Sequence, residues 1–219
     1  MIKSKKLFYS AVILYVISIV LNFPFPHENP YGETISSIVN IPIETVNGLQ
    51  VVGVITLVIL ISSLVLLAMS LNKYHVRSVL IAIVISMSLP MMLVTLYQNT
   101  LATGVYAISY DQENSHCEFE MVDESTLHGK CELPFENHRG SVNEFTVEFK
   151  ESYATDRDVP METLMNQNAP YEVKLDEHDQ ETITIEADID VSNMENYIED
   201  GFTRYVSIVI RSGDQIRKL

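Results

Sequence analysis

Two cysteines, six histidines and a crowd of carboxylates are the residues in this chain that could do chemistry. Cys117 and Cys131 stand 14 positions apart. On neighbouring predicted strands they close a hairpin-sized loop, and an oxidising compartment lets such a pair form a structural disulfide. Loop entropy makes that bond worth about 3 kcal/mol. His116 and His128 lie close in sequence and raise two alternatives, a metal site of two Cys and two His or a redox-switching thiol pair. An adjacent His-Cys is unlike the C-x2-C or H-x3-H clips that put two ligands on one ion. The expectation is therefore the disulfide.

The acids invite a calcium hypothesis. Asp176, Glu177, Asp179 and Glu181 crowd one short segment, and Glu186, Asp188 and Asp190 alternate beyond it. Calcium takes about six to eight oxygens converging on one point. Asp176, Asp179, Asp188 and Asp190 are the candidates for that role. They lack the D-x-[DN]-x-[DN]-G frame, and alternate strand residues spread apart rather than converge. A solvated turn and a solvated strand face are expected, with no metal and no cofactor. Catalytic frames are also missing: no G-x-S-x-G, H-E-x-x-H, P-loop, G-x-G-x-x-G or C-x-x-C occurs. His138 and His178 read as isolated, solvent-exposed histidines in polar turns, so the protein is expected not to be an enzyme.

The elements that must position these residues divide the chain in two. It is 47% hydrophobic, 20% charged and carries a formal net charge of −15. Residues 1–98 hold 5 Lys+Arg and 3 Asp+Glu, while residues 99–219 hold 9 and 26, giving +2 and −17. An apolar front therefore precedes an acidic, water-soluble back. That balance excludes a wholly soluble enzyme, a disordered chain and a protein drawn to nucleic acid by charge, since a polyanion would repel it.

Three apolar stretches, about 7–23, 51–71 and 79–98, carry no Asp, Glu, Lys, Arg or His. About 20 apolar residues cross a ~30 Å hydrocarbon core, and only a helix satisfies its own backbone there. Three membrane helices are expected in a membrane domain over 1–103, the first a retained signal anchor. Lys3, Lys5, Lys6, Lys73 and Arg77 all fall on one side of this arrangement. The positive-inside rule makes that side cytoplasmic and puts the outer loop 24–50 and residues 104–219 outside. Ser78, Ala82 and Ser86 form a small-residue stripe on the third helix, suited to close packing within the chain or against an integral-membrane partner. Pro90 should kink that helix. In the outer loop Ile35, Ile38, Val39, Ile41 and Ile43 suit an interfacial segment or packing beneath the outer domain, and Pro42 suits a helix start.

Beyond Tyr97 the period changes from helical to two. Ile183, Ile185, Ala187, Ile189 and Val191 alternate with polar residues, as do Phe145, Val147 and Phe149, and Tyr171, Val173 and Leu175. Strands are also expected at 105–110, 116–122, 130–133 and 205–211. About seven short antiparallel strands in a domain of this size suggest an immunoglobulin-like sandwich. Short helices are expected over 160–165 and over 193–200, the latter capped by Ser192 with Glu195 and ended by Gly201. Gly104 joins the third span directly to a strand without a flexible linker. Events outside could therefore be felt by that helix.

In layout and composition the chain resembles small multi-pass proteins of Gram-positive bacterial cell membranes. The resemblance implies location and carries no residue roles. Three function classes follow. The first is a non-enzymatic extracytoplasmic binding or sensing domain. The second is an accessory subunit of a transporter or cell-envelope complex. The third is an extracytoplasmic divalent-cation-binding protein. The −17 of the outer domain favours cations or a basic partner and disfavours anionic lipid.

Overall fold

The computed structural model describes residues 2–27, 30–38, 50–151, 161–194, 197 and 199–219. Expectations for Val39, Ile41, Pro42, Ile43 and Glu195 lie outside the described residues. The chain forms two compact units, Met1–Leu96 and Tyr97–Leu219. The sequence-based boundary at 103–104 lies a turn or two further on, because the last turn of one helix belongs with the second unit.

The first unit is helical: α1 Lys5–Leu21, α2 Tyr31–Ile38, α3 Val51–Ser70 and α4 His75–Thr100. The last of these continues into the second unit. Helices α3 and α4 are long and apolar enough to cross a membrane, by length and composition. The 17 residues of α1 span about 25 Å at a rise of 1.5 Å per residue. Ser4 caps α1 by accepting the Leu7 N–H.

Helices α1 and α3 are antiparallel, because residues 2–4 meet residues 70–71. The Lys3 and Ser4 N–H groups donate to Ser70 O at 2.7 and 3.3 Å, and Ile2 bridges Leu71. Small residues recur every seven positions along the contact. Ser4, Ala11 and Ser18 on one side correspond to Ser70, Ser63 and Thr56 on the other. The backbones come close enough for Ser63 Oγ to donate to Ala11 O at 3.0 Å. Small side chains allow this approach, which increases dispersion contact between the two helices. Lys3, Lys5, Lys6 and Lys73 are thereby gathered at one end of the helical unit.

The second unit is built from antiparallel strands. They are β1 Ile108–Tyr110, β2 His116–Met121, β3 Thr126–Asn137, β4 Asn143–Lys150, β5 Tyr171–Leu175, β6 Gln180–Asp190, β7 Asp200–Arg204, β8 Ser207–Ser212 and β9 Gln215–Lys218. Strand β3 organises the first sheet. One edge pairs along its length with β6, and the other takes β1 and then β2, with β7 outside β2. The second sheet runs β5-β4-β8-β9.

Alternate residues of both sheets form one core. Leu127, Cys131, Leu133 and Phe135 of β3 contribute to it, as do Phe145, Val147 and Phe149 of β4, and Ile185, Ala187 and Ile189 of β6. The Phe135 and Phe145 rings, one from each sheet, meet edge to face at 5.4 Å. The period-2 pattern is thus the record of two half-buried sheets.

Four local expectations are corrected. Residues 104–107 form a 3-10 turn rather than the start of a strand. Gly104 supplies the positive φ (+58°) this turn needs. The short helix expected over 160–165 appears as a 3-10 helix at Glu162–Asn168. Gly201 ends no helix, since it pairs with Phe119 inside β7. The local capping signal was overridden by pairing with β2. Strand β9 also lay beyond the expected set. Its outward residues, Ile216 and Lys218, are exposed, and only Arg217 between them is buried.

Candidate functional site

Cys117 and Cys131 sit directly opposite each other in the β2–β3 register and form a disulfide. Both are fully buried under the core. His116 and His128 alternate to the outer face, so neither is presented to the sulfur atoms. His116 lies 3.7 Å from Glu132, and His128 Nδ1 meets Asp188 at 2.7 Å.

The four acidic candidates are not brought together. Asp188 is engaged with His128. Asp190 turns back on Ser192, whose hydrogen bonds hold its carboxyl below the usual aspartate range. Asp176 and Asp179 present backbone carbonyls to Asn137 in the β5–β6 turn. Among the described residues, no group of three or more His, Cys, Asp and Glu side chains is placed to hold a metal ion.

Two arrangements that sequence alone did not single out stand out. The first lies on the β2–β7 edge. Phe202 is 48% exposed and Tyr205 is 56% exposed, unusual for aromatic residues of an otherwise acidic surface. The Arg204 guanidinium lies 5.3 Å over the Phe202 ring, and the His116 ring lies 5.7 Å from it on the next strand. Tyr205 holds φ at +60°, a conformation that is uncommon outside glycine. Its backbone is pinned there: the N–H donates to Ser115 O, and its carbonyl accepts from Gln112 Nε2. A cleft of about 400 Å³ opens beside these rings, with Glu113 and His116 on its walls. Flat apolar rings, a guanidinium and nearby carboxylates can accept a cation on a ring face or anchor a partner's side chains.

The second arrangement surrounds the exit of α4. The carbonyls of residues 102–108 are gripped by side chains from distant strands and loops. Arg139 Nη1 donates to Ala102 O at 2.8 Å, and Asn143 Nδ2 donates to Gly104 O at 2.9 Å. Arg217 reaches Val105 O at 3.3 Å and also Ile108 O. Burial lowers the Arg217 pKa to about 10, so the guanidinium remains charged at neutral pH among carbonyl dipoles.

Gln98, in the last turn of α4, is 4% exposed and donates both amide hydrogens, to Tyr106 O and Ile108 O. Its Oε1 accepts from Ser109 Oγ at 3.2 Å. Ser109 Oγ also lies 2.7 Å from His138 Nε2, and His138 Nδ1 lies 3.4 Å from Glu136 Oε1. The His138 side chain is only 12% exposed, which corrects the expectation of a solvated turn histidine. The order Ser-His-carboxylate is that of a hydrolase relay. Here the serine hydroxyl has two acceptors in reach, Gln98 Oε1 and His138 Nε2.

In the helical unit, Ala82 is buried and its carbonyl accepts from Tyr15 Oη at 2.6 Å. Ser86 returns its hydroxyl to Ile83 O, and Ser78 is half-buried. Pro90 lies inside an unbroken α4, on its buried side. A cleft of about 640 Å³ separates this side from Ser18, Asn22 and Thr56 of the other helices and their flanks. Arg77 stacks on Tyr74 beyond the first end of α4.

Comparison of the chain with protein-family models, curated proteins and solved structures gives no match.

Proposed function

We propose that the protein is a multi-pass cell-membrane protein. Three spans, α1 included, anchor an acidic extracytoplasmic domain of the immunoglobulin-like sandwich type, and that domain is a non-enzymatic binding or sensing module. Two antiparallel sheets on one core support the sandwich. Lysines at one end of an antiparallel helix pair support a cytoplasmic N-terminus, as the Gram-positive-like layout also suggests.

The observation that carries the binding role is the exposed Phe202–Tyr205 edge. The −17 charge draws basic groups towards the domain, and the exposed Tyr205 ring gives a Lys or Arg of the partner a face to sit on. Each such contact is worth about 0.5–1 kcal/mol at an exposed site. A photo-crosslinking residue at position 202, activated in intact membranes, tests this. The expected result is one discrete adduct with a basic partner. Its yield should fall as salt is raised and should disappear in the Tyr205→Ala background. Adducts that are diffuse and indifferent to salt would reject the role.

A second reading, an accessory subunit of a transporter or envelope complex, is favoured by the cleft beside Ser86 and Pro90. Crosslinkers at Met87 that capture a stoichiometric integral-membrane protein, with none captured at 202, would select it.

A further inference from the structure

We infer that the helical unit holds one anionic phospholipid of the cytoplasmic leaflet. Its acyl chain lies in a groove between α1, α3 and α4, and its phosphate lies among the basic residues at the mouth of that groove. Such a site presupposes the membrane anchoring proposed above and is independent of the Phe202 edge. The groove has a volume of about 210 Å³ and is lined by Phe8, Val12, Tyr15, Leu67, Ile81 and Ile85. The Tyr15 and Ser63 hydroxyls on its wall are spent inside the protein, on Ala82 O at 2.6 Å and Ala11 O at 3.0 Å. Apart from Ser78 at its mouth, the groove therefore presents carbon, and an apolar hollow of this kind takes hydrocarbon rather than water. One turn of α-helix with its side chains fills about 400 Å³, so the groove is too small for a partner helix and suits a single chain. The positions from Lys5 to Tyr15 rise about 15 Å, half of a ~30 Å hydrocarbon core, so the groove has the depth of one leaflet.

Charge complementarity selects the headgroup. Helices α1 and α4 both begin at the mouth, where residues 2–4 meet residues 70–71. Lys5 stands one turn before Phe8 on α1, Arg77 stands one turn before Ile81 on α4, and Lys73 lies in the loop that joins α3 to α4. Residues three or four apart share a helix face, so Lys5 and Arg77 flank the groove. Lys6 falls on the far side of α1, with exposed Tyr9 and Ile13. Residues 2–27 and 50–96 contain no Asp or Glu. Among the described residues, no carboxylate pairs with Lys5, Lys73 or Arg77. The two helix N-termini add partial positive charge and free N–H donors. A phosphate diester meets its complement at this mouth, whereas a choline headgroup brings a like charge.

The test is native mass spectrometry of the full-length protein, purified in mild detergent and equilibrated with phosphatidylglycerol and phosphatidylcholine of identical acyl chains. One phosphatidylglycerol per chain should be retained in preference to phosphatidylcholine. Each Lys or Arg near a bilayer surface favours anionic lipid by a factor of about five. Lys5→Gln and Arg77→Gln should each lower the preference by that factor, whereas Lys6→Gln should leave it unchanged. Val12→Trp fills the groove and should lower retention about tenfold. A Ser4→Cys, Ser70→Cys disulfide that still forms in this variant shows that α1 and α3 remain paired. Equal retention of the two lipids, equal losses from Lys5→Gln and Lys6→Gln, or undiminished retention in Val12→Trp would each overturn the site. So would a photo-crosslinker at position 81 that captures another protein, or a second copy of this one, in native membranes instead of lipid. Release of the wild-type protein from membranes by alkaline wash would overturn the anchoring itself, an outcome distinct from a membrane-held protein that retains no lipid.

Discussion

At the scale of single residues, the β unit is intolerant where its core is tightest. Gly129 pairs with Phe119 across β2 and β3. A Cβ there would lie 2.5 Å from Met165 Sδ and 3.0 Å from Phe119 Cε1. Met165 is fully buried and Phe119 nearly so. Gly129→Ala should destabilise the unit by about 1–3 kcal/mol, the cost of overpacking, as a lowered denaturant midpoint. An unchanged midpoint would mean that Met165 can swing aside. The Cys117–Cys131 bond cross-links residues that already pair, so it acts chiefly on the unfolded chain. Replacing both cysteines by alanine should cost about 2–4 kcal/mol without moving the amide resonances of β4 and β8. The pairing of these cysteines was legible from spacing and strand pattern. The Ser109–His138 contact was not, because Ser109, 29 positions earlier, comes to it only through the β1–β3 register.

At the scale of elements, the closest helix contact is α1 with α3 rather than the expected stripe on α4. Ala11, Ser18, Thr56, Ser63 and Ser70 are buried between them. Their hydroxyls are satisfied locally or across the pair, as Thr56 on Val52 O and Ser63 on Ala11 O show. Ser63→Leu should force the helices apart and abolish an engineered disulfide between positions 4 and 70. Ser86→Leu, on α4, should leave that disulfide intact. If both substitutions left it unchanged, close packing would not be what holds the pair. The small residues were visible in the sequence. Their seven-residue match across two helices was not, since it depends on which helices face one another.

A sheet edge tells a similar story. The open edge of β6 is covered by side-chain amides from the 3-10 helix, Gln167 both giving to and taking from the Asp190 backbone and Asn168 bonding Asp188 O. Such cover blunts an edge that would otherwise template association. The edge at β7 instead carries exposed Phe202.

For the whole molecule, the prediction concerns sidedness. A membrane-impermeant maleimide applied to intact cells should label Asp214→Cys, in an exposed turn between β8 and β9, and spare Lys73→Cys until the membrane is opened. The reverse pattern would invert the topology and reassign the acidic unit to the cytoplasm. The same experiment bears on the disulfide, since an oxidising compartment must enclose Cys117 and Cys131.

Composition and periodicity alone determined the large divisions: an apolar helical front, an acidic antiparallel β back, basic residues at one end and a cysteine pair on adjacent strands. These are properties of short windows of chain, and each window carries its own signal in hydropathy, charge or period. Tertiary structure alone decided what the polar groups do. Arg217 reaches Val105 across 112 positions, and Gln98 finds Ser109 through the turn at Gly104. The physical reason is that a buried polar atom must find a partner wherever the fold brings one within about 3 Å. Strand register and helix pairing choose that partner, and no local pattern encodes them.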